Sequence, residues 1–166
     1  DKFLTASLAM IAGEEPTAVA AKTEQRTRYS AIVSVHPTDD LEYVLHHHYA
    51  YQEDGKVGGG TARWYGIDQY LYYRLHQKVK AGLRFEWFRD EAGTRVGGSP
   101  DRGNPNLAPF AGSFYSLTGG VNYYAHSNIT IRPEIRYDWF TGGLNPYKDG
   151  HNDYKLLVAI NSYLQF

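Results

Sequence analysis

The stretch Asp153-Tyr154-Lys155-Leu156-Leu157-Val158-Ala159-Ile160-Asn161-Ser162-Tyr163-Leu164-Gln165-Phe166 decides the fold. Counting back from Phe166, every second residue is Leu164, Ser162, Ile160, Val158, Leu156 and Tyr154, an apolar face mixed with aromatics. The other phase, Gln165, Tyr163, Asn161, Ala159, Leu157 and Lys155, is more polar. A period of two is a strand's period. The last residues of a soluble domain usually fray, whereas a strand that runs out to a bare aromatic suits the closing strand of an outer-membrane β-barrel.

The same alternation recurs upstream and predicts eight strands. They are Lys2 to Ala12, Arg26 to His36, Leu41 to Gln52, Arg63 to Leu75, Val79 to Arg89, Ser113 to Ala125, Ile129 to Phe140 and the closing strand. Most are about twice as long as the ~5–6 residues of a soluble strand. They reach the ~9–11 residues that a tilted strand needs to cross hydrocarbon. Tight turns at Pro37-Thr38-Asp39-Asp40, His76-Gln77-Lys78 and His126-Ser127-Asn128 alternate with longer segments. Those segments are Gly13 to Gln25, Glu53 to Ala62, Asp90 to Gly112 and Thr141 to Asn152, with Thr17 to Lys22 able to form a turn of helix. Short turns on one rim and long loops on the other are the bacterial outer-membrane pattern, with the short turns in the periplasm.

Composition agrees with this reading. The formal net charge is −1, which implies no polyanion and argues against nucleic acid. No run of about 18 apolar residues is present, so no transmembrane helix is expected. That leaves strands, whose alternation averages to a polar sequence. The 15 tyrosines combine an apolar ring with a polar tip, which suits a membrane–water boundary. With no cysteine there is no disulfide framework. The chain opens at Asp1 without Met or leader, so it is expected to be processed or to belong to something longer, with its other end native.

The polar phase is where function is expected. The seventh strand gives Thr130, Arg132, Glu134, Arg136 and Asp138, and the fifth gives Lys80, Gly82, Arg84, Glu86 and Phe88. A soluble up-and-down barrel turns its apolar face inward, and a membrane barrel inverts that. Aromatics near strand ends (Tyr65 and Tyr73, Tyr115 and Tyr123, Tyr137 and Trp139) favour the inverted arrangement. So does the self-neutralising row from Arg132 to Asp138. His47 falls in the apolar phase and is expected near an interface or at a bulge.

Other motifs carry less. In His46-His47-His48 only His46 and His48 share a face, and Glu42 on that face is two residue pairs away. A zinc site needs further ligands, so no metal and no cofactor are expected. Gly58-Gly59-Gly60 and Gly97-Gly98 lack a following helix with Lys-Ser/Thr and read as loop punctuation. A barrel hydrolase would need Ser116, His46 or His48, and Asn122 to meet, and no spacing supports that; no enzyme is expected.

Trp64-Tyr65-Gly66-Ile67-Asp68-Gln69-Tyr70-Leu71-Tyr72-Tyr73 followed by Ala81-Gly82-Leu83-Arg84-Phe85-Glu86-Trp87-Phe88-Arg89-Asp90 resembles the OmpL-like β-barrel porins, the β-barrel porin-2 family. Gly93-Thr94-Arg95-Val96, Leu117-Thr118-Gly119-Gly120-Val121-Asn122-Tyr123 and the run from Asn128 to Trp139 are similar to the same family. The resemblance covers about residues 40 to 166, with the first forty residues looser. It implies passive passage of small hydrophilic solutes, no catalytic residues, and a longer parent of which this is the C-terminal part. It also implies that the outer-membrane assembly machinery recognises the strand ending in Phe166.

The expected fold is therefore all-β, an antiparallel up-and-down transmembrane β-barrel with eight strands in this chain, expected to be part of a larger barrel. Residues 1–166 form one barrel domain or the C-terminal eight strands of a larger porin. Expected pore-lining residues are Lys80, Arg84, Glu86, Arg132, Glu134, Arg136 and Asp138, with the loop Asp90 to Gly112 as a constriction or plug. Expected partners are the lipid bilayer, the assembly machinery, small hydrophilic solutes, and either further copies of the chain or a larger envelope complex. The location is the outer membrane of a diderm bacterium. Two other readings stay open. One is a closed eight-stranded membrane barrel with a structural, adhesive or receptor role, since eight strands alone close around a side-chain-filled interior. The other is a soluble lipocalin-like ligand-binding barrel.

Overall fold

A computed structural model describes residues 3–17, 22–56, 58–96 and 110–165. Eight strands follow one another: β1 (Leu4–Pro16), β2 (Thr23–Thr38), β3 (Leu41–Gln52), β4 (Ala62–His76), β5 (Val79–Asp90), β6 (Gly112–His126), β7 (Ile129–Gly142) and β8 (Tyr154–Leu164). Each pairs antiparallel with its sequence neighbours, giving one sheet in the order β1-β2-β3-β4-β5-β6-β7-β8. This is the expected up-and-down topology. The sheet is open: β1 and β8 are its edges and do not pair with each other.

The strands run further than the alternation predicts, mostly on the long-loop side. Gly13, Glu14 and Glu15, read as loop, pair with Arg26, Gln25 and Glu24. At the tight turns the ladder slips between Val35 and Thr38, Arg74 and His76, and Tyr124 and His126, which lets β2 absorb Pro37 and Thr38. Such bulges end pairing at a rim and tighten local twist. Phe166, Gly97-Gly98 and most of the loop from Asp90 to Gly112 lie outside the described residues, as do residues 18–21 of the expected helical turn.

In a one-layer sheet the exposure of the two faces reports its curvature, because side chains crowd on the inner face and splay on the outer. On the interior strands β5 to β7 the splayed, exposed side is the apolar one. Leu83 is 48%, Leu117 43% and Ile135 52% exposed, against 4% for Ser116, 9% for Thr118 and 8% for Asp138. A water-soluble sheet buries its apolar face, and soluble monomers rarely show a contiguous apolar surface of this kind. The inversion is that of a membrane barrel.

Aromatics band the outer face near the long-loop rim. Tyr29 stacks on Tyr49 at 5.7 Å, Tyr49 on Tyr65 at 6.0 Å, and Tyr65 meets Trp87 edge-on at 5.7 Å. Further round, Tyr115 stacks on Trp139 at 5.1 Å and Tyr137 on Trp139 at 5.7 Å. Tyr73 and Tyr123 stand eight positions along their strands from Tyr65 and Tyr115, and at ~3.3 Å per residue and a tilt of ~40° the two levels are roughly 20 Å apart. His47 lies on this outer face with no bulge beside it, its ring 5.6 Å from Tyr29 of the aromatic band. That places it near the interface.

Outside the band the loops are tied by charge. Lys22 donates to Asp54 and pairs with Glu24 at 2.8 Å, and the Gly60 N–H donates to Asp54 at 3.1 Å. The Lys22 ammonium, followed by the Gly60 N–H, holds the Asp54 carboxyl below its ordinary value. A depressed folded pKa contributes stability that is present above the unfolded value of ~3.9 and lost as pH falls through the folded one. Protection of the Gly60 amide is therefore expected to fall when the pH is lowered from 6 to 3, and Asp54→Asn should show the low protection already at pH 6. Hydrogen exchange corrected for intrinsic rates checks this; equal protection at both pH values would remove the tie.

Candidate functional site

The register brings every expected pore-lining residue to the inner face. Arg84 pairs with Thr118 and Thr118 with Arg136, while Glu86 pairs with Ser116 and Ser116 with Asp138. Because pairing is in register and alternation has period two, all members of these rungs point the same way. Lys80 opposite Asn122, and Glu134 opposite Gly120, extend the same surface.

The charges form a relay across three strands. Arg84 Nε lies 3.3 Å from Glu86, Glu86 reaches over β6 to Arg136 at 3.6 Å, and Arg136 Nε donates to Asp138 at 2.6 Å. Arg132 and Glu134 are 3.8 Å apart, and Lys80 crosses β4 to meet Glu42 at 3.2 Å. Each cation thus has an anion beside it. These groups are partly hydrated, so each pair adds only ~0–1 kcal/mol to stability. Their effect is a corrugated field along the wall rather than cohesion. Gly82 and Gly120 have no side chains here, and the wall sinks into a recess of about 230 Å³ rimmed by Arg84, Arg132 and Glu134.

Toward the long-loop rim the inner face turns apolar, although these residues share the phase of the charged ones. Trp64, Ala50 and Ala62 are buried, with Phe88 packed against them. Phe88 neighbours Phe114 at 6.3 Å, and Phe114 packs on Phe140 at 4.5 Å. Arg26 and Arg95 both lie over the Trp64 ring, at 5.7 and 4.8 Å. Since Trp64 faces inward, Arg95 carries the start of the loop after β5 over the inner face. Asp90, fully buried, anchors it by accepting the Thr94, Arg95 and Val96 N–H groups at 3.1, 2.7 and 3.2 Å.

The hydrolase set does not assemble. Ser116 is on β6 and His46 on β3, with β4 and β5 between them, a separation of three strand spacings or roughly 14 Å along the sheet. His46 and His48 do share the inner face, and opposite them stands Asp68, the group that sequence spacing could not supply. Glu42 is engaged elsewhere, with Lys80 and His36.

Over residues 1–166 the sequence matches the family described as "Putative beta-barrel porin-2, OmpL-like". The chain belongs to that family. The match spans the first forty residues as well as the later motifs. No curated protein and no solved structure matches the chain. As an OmpL-like β-barrel of the porin-2 family it is an outer-membrane barrel protein by class, and the family name is that of a pore and not of a catalyst. The inverted sheet is the structural counterpart of that membership.

Proposed function

We propose that this chain forms part of the wall of a porin-type channel for passive diffusion of small hydrophilic solutes and ions. Its setting is the outer membrane of a Gram-negative-type bacterium, and it performs no catalysis. The observation that carries this reading is the inner face itself: a continuous polar, charge-alternating surface on a sheet whose outer face is apolar. Lys80, Arg84, Glu86, Arg132, Glu134, Arg136 and Asp138 line the lumen and shape its transverse field. Alternating charge presents hydrogen-bonding sites to any hydrophilic solute while holding no single sign strongly, which suits passage rather than retention. The open edges at β1 and β8 support a wall completed by further strands, because unpaired backbone groups in lipid are costly. A wider barrel would also leave the lumen unfilled, as an eight-stranded one does not.

Planar-bilayer recording of the full-length protein tests this, with discrete conductance steps expected; their absence would sink the channel reading. Glu86→Gln removes the anion shared by Arg84 and Arg136, so the reversal potential under a salt gradient is expected to shift toward anion preference.

A further inference from the structure

We propose that His46, His48 and Asp68 form a binding site for one divalent transition-metal ion of the zinc class on the inner face. His46 and His48 are two apart on β3, so their rings share a face, with centroids 5.4 Å apart. The β3–β4 register sets Asp68 directly opposite His46. Asp68 Oδ2 lies 2.9 Å from His46 Nδ1 and 3.9 Å from His48 Nδ1. One donor atom from each residue falls within 4.8 Å of the others. Zinc–ligand bonds of ~2.0–2.2 Å at tetrahedral angles need donors about 3.3–3.6 Å apart, which the two measured distances bracket. The two histidine donors, within 4.8 Å of each other, would come to that spacing by side-chain rotation.

Three further observations separate this cluster from an ordinary lumen ion pair. The His48 Nδ1 atom is buried and has no hydrogen-bond partner, although an acceptor or donor is normally found for such an atom. The ring is given its place by Gly66, where an added Cβ would lie 2.8 Å from the His48 ring and 2.5 Å from the Trp87 carbonyl oxygen. Phe88, the β5 partner of Gly66, stacks on that ring at 5.9 Å. Finally, His46 Nε2 is 2.8 Å from Ser30 Oγ. With the metal on Nδ1, the His46 proton resides on Nε2 and is donated to Ser30, the orienting outer bond that metal-bound histidines typically have. Two imidazoles and one carboxylate select zinc, cobalt, nickel or copper over magnesium or calcium, which take all-oxygen sites. The inner face leaves the fourth position to water. The site does not depend on the channel being open.

Isothermal titration of zinc chloride into tag-free, chelator-stripped full-length protein in detergent is expected to show one ion per chain. His48→Ala should abolish binding. Asp68→Asn, which removes a ligand, should weaken it more than Ser30→Ala, whose expected loss is about tenfold, the low end of outer-partner losses. His47→Ala, on the opposite face, should leave it unchanged. The cobalt complex of the unmutated protein supplies a second readout that needs no variant, with intense tetrahedral visible bands expected. Absence of stoichiometric zinc binding, a weak hexa-aquo-like cobalt spectrum, or loss in His47→Ala equal to that in His48→Ala would each overturn the site.

Discussion

Ile135→Arg is expected to lower the unfolding free energy of the protein in phospholipid bilayers by about 2–4 kcal/mol, the cost of a guanidinium on the lipid face near the midplane. Ile135 sits in mid-β7, flanked in the register by Gly119 and Val158 on the same outer face. It lies two positions from Tyr137 and four from Ile131, which pairs with Tyr123 at the opposite level, so it stands between the aromatic bands and not within one. There an arginine can neither reach headgroups easily nor find a partner on a surface built of isoleucine, valine and glycine. The same substitution at a half-exposed position of a water-soluble protein would change stability by only ~0.5 kcal/mol or less. Urea titration of the vesicle-inserted protein therefore separates the two solvents, and a small effect would mean that the outer face meets water.

Why the sequence carried so much of this fold follows from the physics of the two faces. Wherever lipid covers one side, alternation is enforced residue by residue, and β3 is read from Leu41 to Gln52 with the same bounds that the structure has. Beyond the lipid the outer face need not be apolar, so the signal stops while the ladder continues. Glu14 and Glu15 read as loop for that reason, although they pair with Gln25 and Glu24. Facing was legible too, since the seven charged residues assigned to one phase all reach one surface. Partnership across strands was not. Which residue stands opposite His46 depends on how the long connection from Gln52 to Ala62 sets β4 against β3, and a slip of one position would have replaced Asp68 by Ile67 or Gln69. The inward aromatics Trp64, Phe88, Phe114 and Phe140 lay in the polar phase at its long-loop end. Seeing them as a cluster needed the register that stacks four strands at one height.

Asp90→Ala is expected to cost about 2–4 kcal/mol and to release the start of the loop after β5. Three backbone N–H groups converge on this one buried carboxylate, two on Oδ2 and one on Oδ1. Hydrogen bonds to an ionised acceptor are worth ~1.5–3 kcal/mol each when the partners stay buried. The net loss is smaller than their sum because a loop at the rim can lift and let water take the amides. Lifting has a structural consequence, since Thr94 is buried and Arg95 rests on Trp64 over the inner face. Trypsin cleavage after Arg95 should accelerate, and in the proposed channel the single-channel current should become noisier as the freed segment moves over the inner face. Asp90→Asn is expected to fall between the two: its single carbonyl oxygen can keep the Arg95 and Val96 amides but not that of Thr94. The order Asp, Asn, Ala in both stability and resistance to trypsin is thus fixed by acceptor count alone. If Asn and Ala behaved alike, the carboxylate would be acting through its charge toward Arg95 or Arg26 and not through the amide cradle, and the loop would be held by the stacked guanidiniums instead.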